Sequence, residues 1–478
     1  MNILFVHSVE RPVSHNALLG QGQIQFGISY ISAVVQSAGH HTSLLVLNAE
    51  NERHATETTK HHLLNAKPDI VAFTSVSSQF PFVHRIATLI RRHFPTMYIV
   101  VGGPHVSMMP EDAVGNVFDA ICIGEGESAF LELVDQLSAL KRPLGVPNFW
   151  FRQDNGSWEK NSTGPMLDRL DDLPFPDFAM WDPYVDTSEP HFPTIVIGRG
   201  CPHRCSYCSN AALSQLADGC YVRFRSPESI ITEIRALLSR LAEQPRFIFL
   251  ETDTITANPK WTSALCDALM KFNHTMPEPL RFHCNLRITP KSTDESFIAK
   301  LAEANIRHLN IGLESGSERV RQNILRRRYS NDDFRRVIDL TRKYGIDVSI
   351  FNMIGIPGET FEDHLETVAL NRYAQPANSL TSIFYPYPGT ELYQVCVSRG
   401  ILPEKENPSE RRVAVLDLPE FPKQQVQRAY DLFDWRIHLG YRPLHVNARK
   451  LIRHYIGKSN FTNRMFNKML PIWHRLHD

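Results

Sequence analysis

The chain has 478 residues, more than one hydrophobic core accommodates, so two or three domains are expected. Its 51 Lys and Arg balance 51 Asp and Glu, and the pI is about 7.3, which excludes a bulk electrostatic pull toward nucleic acid or an anionic membrane. No apolar run approaches the ~20 residues of a membrane span, and Met1-Asn2-Ile3-Leu4-Phe5-Val6-His7 lacks the basic segment of a signal peptide and starts as a strand. The cysteine usage suits a reducing compartment, so a cytoplasmic protein is expected.

The first ~140 residues alternate short apolar strands with helical segments, the rhythm of an open parallel sheet wound on both faces. Strands are expected at 2–6, 42–47, 70–74, 98–101 and 120–123, with an amphipathic helix over 26–38 that ends at Gly39. Small residues collect after the strands: Thr74-Ser75-Val76-Ser77-Ser78, Gly102-Gly103-Pro104-His105 and Gly124-Glu125-Gly126-Glu127. Ligands of such sheets sit at the carboxyl ends of the strands, where glycine lets a large ligand approach the backbone. A hairpin turning at Asn155-Gly156 follows. The proline-rich Leu170-Asp171-Asp172-Leu173-Pro174-Phe175-Pro176-Asp177 then reads as a linker.

A second α/β series begins with a strand at 194–197. Further strands are expected at 247–250, 281–285, 308–311, 347–353 and 382–385, with helices at 227–241, 260–270, 294–304, 331–344 and 361–373. Six strand–helix units predict a partial (β/α)6 TIM barrel whose reactive end is formed by the carboxyl ends of its strands. The first strand runs into Cys201-Pro202-His203-Arg204-Cys205-Ser206-Tyr207-Cys208. Three thiols at this spacing suit an iron–sulfur cluster with one iron left without a protein ligand. A structural zinc site wants four ligands, and His203, between two of the cysteines, is poorly placed to be the fourth. Cys122, Cys220, Cys266, Cys284 and Cys396 stand singly and read as buried small hydrophobes.

Polar residues mark the ends of the next strands: Glu251 and Asp253, then Asn285 and Arg287, then Glu314 and Ser315, then Gly355-Ile356-Pro357-Gly358. Each has a plain structural reading as a turn or helix cap. Beyond Asp417 the pattern is helical and locally basic, with Arg442, Arg449, Lys450, Arg453, Lys458, Arg464, Lys468 and Arg475, and Trp473 among them. This reads as a packed helical cap with a solvated basic face, or else as a peripheral membrane contact. The expected domains are 1–145, a hairpin and linker over 146–190, the barrel over 191–416 and a helical region over 417–478.

At the cysteine triad the chain resembles the radical S-adenosylmethionine (SAM) superfamily. The resemblance implies that Cys201, Cys205 and Cys208 hold a 4Fe-4S cluster, that SAM chelates the fourth iron, and that Tyr207 lies beside the adenine. Reductive cleavage of SAM would then yield a 5′-deoxyadenosyl radical. It implies that Glu251 or Asp253 accepts the SAM ammonium. Arg287 with Asn285 would meet the carboxylate, Glu314 and Ser315 the ribose or amino acid end, and the Gly355–Pro357 turn the adenine.

The landmarks Arg225-Ser226-Pro227-Glu228, Glu314-Ser315-Gly316-Ser317, Gly355-Ile356-Pro357-Gly358-Glu359-Thr360 and Tyr387-Pro388-Gly389-Thr390 are similar to one branch, which joins a cobalamin-binding domain to the barrel. In that branch the turns at Ser75, Ser77, Gly102, Gly103, Gly124 and Glu125 would border corrin. The Asp-x-His-x-x-Gly loop that ligates cobalt elsewhere is missing, and His7, His15, His40 and His105 lack its context, so the lower axial position is not expected to be histidine. The branch implies methyl transfer to an unactivated carbon of a small molecule, with radical cyclisation or rearrangement as the alternative. A non-catalytic iron–sulfur protein is the reading from another class. A flavodoxin or ferredoxin would supply electrons. No nucleic acid is expected, since only Cys122 precedes the triad and a second cluster there would need three cysteines.

Overall fold

The computed structural model describes residues 1–10, 24–185, 193–241, 243–402 and 411–457. Strands β1 (Asn2–Val9), β2 (His41–Asn48), β3 (Ile70–Thr74), β4 (Tyr98–Gly102) and β5 (Ala120–Cys122) pair in parallel in the order β2-β1-β3-β4-β5. Alternate side chains of β1 enter different cores. Leu4 and Val6 pack with Val83, Ile86 and Ile90 of the helix Phe80–His93, whereas Ile3 and Phe5 pack with Val35 of Phe26–Ser37 and Leu133 of Glu127–Ser138. Covering both faces is what makes these strands near-continuous apolar runs.

The hairpin of β6 (Phe149–Arg152) and β7 (Trp158–Lys160) is not a separate piece. It extends the sheet antiparallel from β5. The end of the proline-rich stretch and the residues after it pack back on the helix Phe26–Ser37: Trp181 is buried and donates to Ser29 Oγ (2.8 Å), while Asp177 accepts from Ser32 and Gln36 (both 2.9 Å).

The second sheet is parallel throughout. Its strands are β8 (Thr194–Val196), then, after the short antiparallel ribbon of β9 (Gly198–Arg199) and β10 (Arg223–Phe224), β11 (Phe247–Glu251), β12 (Arg281–Leu286), β13 (Ile306–Glu314), β14 (Asp347–Ile354) and β15 (Asn378–Ile383). The order β15-β14-β13-β12-β11-β8 follows the chain, and helices cross between most neighbours, the rhythm of a partial barrel. One face packs on those helices through Phe282, Cys284, Leu286, Leu309 and Ile311; the alternate residues His283, Asn285, His308 and Asn310 face the other way and are half-buried. The last strand lies four residues earlier than expected, at 378 instead of 382. Asn378-Ser379-Leu380-Thr381-Ser382 has no apolar run to announce it, and Pro386 cannot donate to a ladder.

The chain after 417 is helical over Lys423–Asp431, Phe433–His438 and Leu444–Gly457. Val426, Ala429, Phe433 and Ile437 close against Ile354, Val368 and Ile383 at the β14–β15 edge. Lys450 reaches Asp434 at 3.8 Å. The basic residues Lys458, Arg464, Lys468 and Arg475, and Trp473, lie outside the described residues. Among the described residues no helix is long and apolar enough to cross a membrane.

Candidate active site

The carboxyl ends of the two sheets face one another across a cavity of about 450 Å³. From the first sheet it is lined by Tyr30, Thr74, Gly102, Gly103 and Gly124–Glu127; from the second by Arg199, Gly200, Tyr221, Arg223 and Glu251–Asp253.

On the first side Gly102, Gly103, Gly124 and Gly126 bring backbone to the wall, among apolar side chains such as Phe5, Tyr30 and Phe130. Gly103 has φ 100° and ψ 177°, a region closed to other residues, and a Cβ there would come 2.7 Å from Ser75 N and 2.8 Å from Thr74 Oγ1. Gly124 has φ +82°, donates to Ser107 Oγ (2.9 Å), and a Cβ there would meet nothing within 4 Å. Ser75 and Ser77 do not line the cavity. Ser75 is buried and ties the Gly103 turn: its N–H donates to Gly102 O (3.0 Å) and its carbonyl accepts from His105 N (3.1 Å). Ser77 Oγ contacts His105 Nδ1 at 3.2 Å. Glu125 faces the cavity, but both carboxylate oxygens are taken by Arg199 and Arg223; although burial works against it, the two guanidiniums hold its carboxyl below the ordinary range. His7 is buried against Trp181, His40 Nδ1 lies 3.1 Å from the Met1 amino group, and His105 is held by Ser77 and by Asp112 (3.3 Å). His15 lies outside the described residues.

On the second side the wall carries charged and polar side chains, Arg199, Tyr221, Arg223, Glu251 and Asp253. The three cysteines sit on the loop between β9 and β10, with Cys205 buried and Cys201 and Cys208 half-buried, all as free thiols. Cys208 N donates to Cys205 O (3.2 Å), and burial pushes the Cys208 thiol up to about 11. Among the described residues no three His, Cys, Asp or Glu side chains converge as they would on a single ion. Three thiols on one loop are a donor set that suits an iron–sulfur cube. Arg287 Nη1 donates to Cys205 Sγ at 2.8 Å, so this arginine attends the cysteine loop. Asp253 accepts from Asn210 of the same loop (2.5 Å), and Tyr221 donates to the Asn210 carbonyl (2.5 Å). Cys220, expected to be buried, is exposed in the bend before β10, with Sγ 3.2 Å from Val222 O.

Glu251, Asn285 and Asn310 form a ladder across β11, β12 and β13: Asn285 Nδ2 donates to Glu251 Oε1 (3.3 Å) and Asn310 Nδ2 to Asn285 Oδ1 (3.1 Å). Burial, then the nearby Asp253, push the Glu251 carboxyl up to about 7. Thr252 is buried beside it, with a hydroxyl that has no partner. Glu314 ends β13 at φ +65° and lies 3.6 Å from Arg327, which also donates to Tyr207 OH (3.2 Å). Tyr207 packs with Ile356 and Ile324 in one apolar cluster.

Ser315 is buried within its turn, accepting from Ser317 N (3.3 Å). Gly355 and Pro357 are buried too, and the bare face of Gly355 (φ +79°) makes room for Val426, whose Cγ1 would lie 2.8 Å from a Cβ there. Of the residues expected on this side only Glu251 and Asp253 line the cavity; Cys201, Cys205, Cys208 and Tyr207 lie behind it, as do Asn285, Arg287 and Glu314, and Ser315, Gly355 and Pro357 do not reach it. Arg199, Tyr221, Arg223 and Thr252 at the cavity, and Arg327 beside Tyr207, are brought in by the structure. Arg199, two residues before Cys201, was the one with a usable signal.

Residues 195–370 match the Radical SAM superfamily, and residues 17–134 match the B12 binding domain. An uncharacterized methyltransferase of Pyrococcus horikoshii is 27% identical over 342 residues, covering 70% of this chain and 71% of its own. The anaerobic magnesium-protoporphyrin IX monomethyl ester cyclase of Rubrivivax gelatinosus is 23% identical over 409 residues, covering 82% of this chain and 70% of its own. Among solved structures, the cobalamin-dependent S-adenosylmethionine radical enzyme OxsB, with aqua-cobalamin and S-adenosylmethionine bound, superposes with a TM-score of 0.69 at 14% identity, covering 99% of this chain and 75% of that one.

Proposed function

Starting from a chain that joins a B12 binding domain to a radical SAM domain, we propose a cobalamin-dependent radical SAM enzyme that transfers a methyl group to an unactivated carbon of a small molecule. The observation that carries this reading is that the two legs of the cysteine loop, at Arg199–Gly200 and Tyr221–Arg223, face the glycine turns of the first sheet across one cavity. Cys201, Cys205 and Cys208 would hold the 4Fe-4S cluster, and backbone at Gly102, Gly103 and Gly124 would lie against corrin. When bound, the cluster supplies the electron for reductive cleavage of SAM and the corrin serves as methyl carrier.

The protein's part is placement. Arg287 supplies a donor to the Cys205 sulfur, a contact of the kind that tunes cluster potential. Glu251 and Asp253 offer the carboxylates for an ammonium, Asn285 holds Glu251 in place, and Arg327 orients Tyr207 and Glu314. An electron donor of the flavodoxin or ferredoxin class, a cytoplasmic setting, and membrane contact through the basic tail are part of the proposal.

Reconstitution under anaerobic conditions with iron, sulfide, SAM, reductant and hydroxocobalamin tests it: bound corrin and 5′-deoxyadenosine are expected, and absence of both overturns it. The likeness to a cyclase supports a second reading, cyclisation with the same cofactors. Formation of 5′-deoxyadenosine without S-adenosylhomocysteine would decide for it.

A further inference from the structure

The two strands that bracket the cysteine loop place their arginines directly across from one another: Arg223 is the register partner of Arg199 in the β9–β10 ribbon. Like charges opposite one another in a ribbon repel, and these are largely withdrawn from water, with side chains 20% (Arg199) and 4% (Arg223) exposed. Compensation comes from the other sheet, from the turn after β5. Glu125 Oε1 accepts from Arg199 Nη1 (3.2 Å) and Arg223 Nη2 (2.7 Å), and Glu125 Oε2 accepts from Arg223 Nη1 (2.9 Å), a two-pronged pair. Glu127 Oε1 accepts from Arg199 Nη2 (2.6 Å), and the Arg199 guanidinium lies over the Tyr30 ring, 4.9 Å from its centroid. Just beyond the arginines the two legs of the loop close up, since a Cβ on Gly200 would come 2.1 Å from Tyr221 O.

We infer that Glu125 is a positioning residue: it ties both legs of the cysteine loop to each other and fastens them to the glycine turn of the B12-binding side. This departs from a role as a corrin contact, because neither carboxylate oxygen is free. The tie sets how the loop meets the first sheet before any cofactor binds. Glutamine at 125 would keep the shape but lose the charge, leaving two facing guanidiniums short of an anion. Glu127 meets Arg199 through one bond and acts more weakly. Only what the loop holds rests on the proposed function; the tie belongs to the cofactor-free protein.

Hydrogen exchange read by mass spectrometry on the cofactor-free protein tests it. Glu125→Gln and Arg223→Gln should each speed exchange across residues 198–224 at least about tenfold, the scale of one lost charge-assisted hydrogen bond. The double variant should exceed the stronger single by less than about twofold, because both remove the Glu125–Arg223 pair, while Arg223→Gln additionally loses the bond to Leu167 O (2.9 Å). Glu127→Gln should give a smaller rise. After anaerobic reconstitution, Glu125→Gln should also retain less iron and sulfide per chain. Unchanged exchange in Glu125→Gln, or independent effects that multiply in the double variant, would overturn the inference. So would weakened hydroxocobalamin binding with the loop still protected, which would give the carboxylate back to corrin. If instead the wild type binds neither corrin nor cluster while Glu125 still governs loop exchange, the proposed function fails and the tie stands.

Discussion

The two sheets meet the same cavity with different materials. After β3, β4 and β5 the first sheet offers backbone, exposed by Gly103 and Gly124 in conformations that side-chain-bearing residues avoid. The second offers Arg199, Tyr221, Arg223, Glu251 and Asp253, with Asn285 bonded to Glu251 and Arg287 to Cys205 behind them. Bare backbone suits a wide, flat ligand held over a large area, whereas converging charges suit a small one with a few ionic groups to satisfy. Substitutions should therefore act differently on the two sides: loss of a functional group on the second, added bulk on the first.

The largest effect is expected on the second side. Cys208→Ala should reduce iron per chain after reconstitution and take 5′-deoxyadenosine formation to the detection limit, while hydroxocobalamin binding on the first side persists; iron assay, product chromatography and the corrin absorbance of the same sample read all three. Persistence of SAM cleavage in this variant would revive a cluster that is structural or electron-transferring only.

Next is a matched pair on the first side. Gly103→Ala must accommodate both a glycine-only conformation and a Cβ 2.7 Å from Ser75 N, and should cost about 3 kcal/mol in denaturant unfolding along with corrin retention. Gly39 has φ +88° with nothing within 4 Å of a Cβ, so Gly39→Ala should cost only about 1 kcal/mol and leave corrin binding intact. Equal effects would mean that Gly103 matters for its backbone angle alone.

What could be read in advance follows the same division. Strands buried on both faces announce themselves as apolar runs, and β1 to β5 lie close to where the runs put them; β15, a polar edge, does not. The cysteine spacing is local, so it was legible. Contacts between distant segments were not. Tyr207 and Arg327 are 120 positions apart, and Arg223 and Glu125 are 98 apart, with nothing in either segment naming the other. Glycine is ambiguous in a specific way: it marks where backbone comes close to something, without saying to what. At Gly103 that something is Ser75 beside the cavity; at Gly355 it is Val426 of a C-terminal helix.

An effect smaller than that of Gly103→Ala comes from a buried acid that serves the barrel from behind. Glu359 is fully buried; its Oε2 accepts from Gly355 N (2.6 Å) and Ile356 N (3.1 Å), while Oε1 has no partner. Burial pushes its carboxyl from 4.5 up to about 8. Between those values the folded protein holds a proton that the unfolded chain has released, so stability must fall as pH rises from about 4.5 through 8. Glu359→Gln mimics the protonated acid at every pH. Wild type and variant should match near pH 5, and the wild type should become weaker by roughly 1–2 kcal/mol between about pH 6 and pH 8, within a linkage slope of at most about 1.4 kcal/mol per pH unit. Urea midpoints across that range decide it. Parallel pH curves would mean that the two backbone donors hold Glu359 ionised, and that the turn at Gly355 is pinned by a full charge.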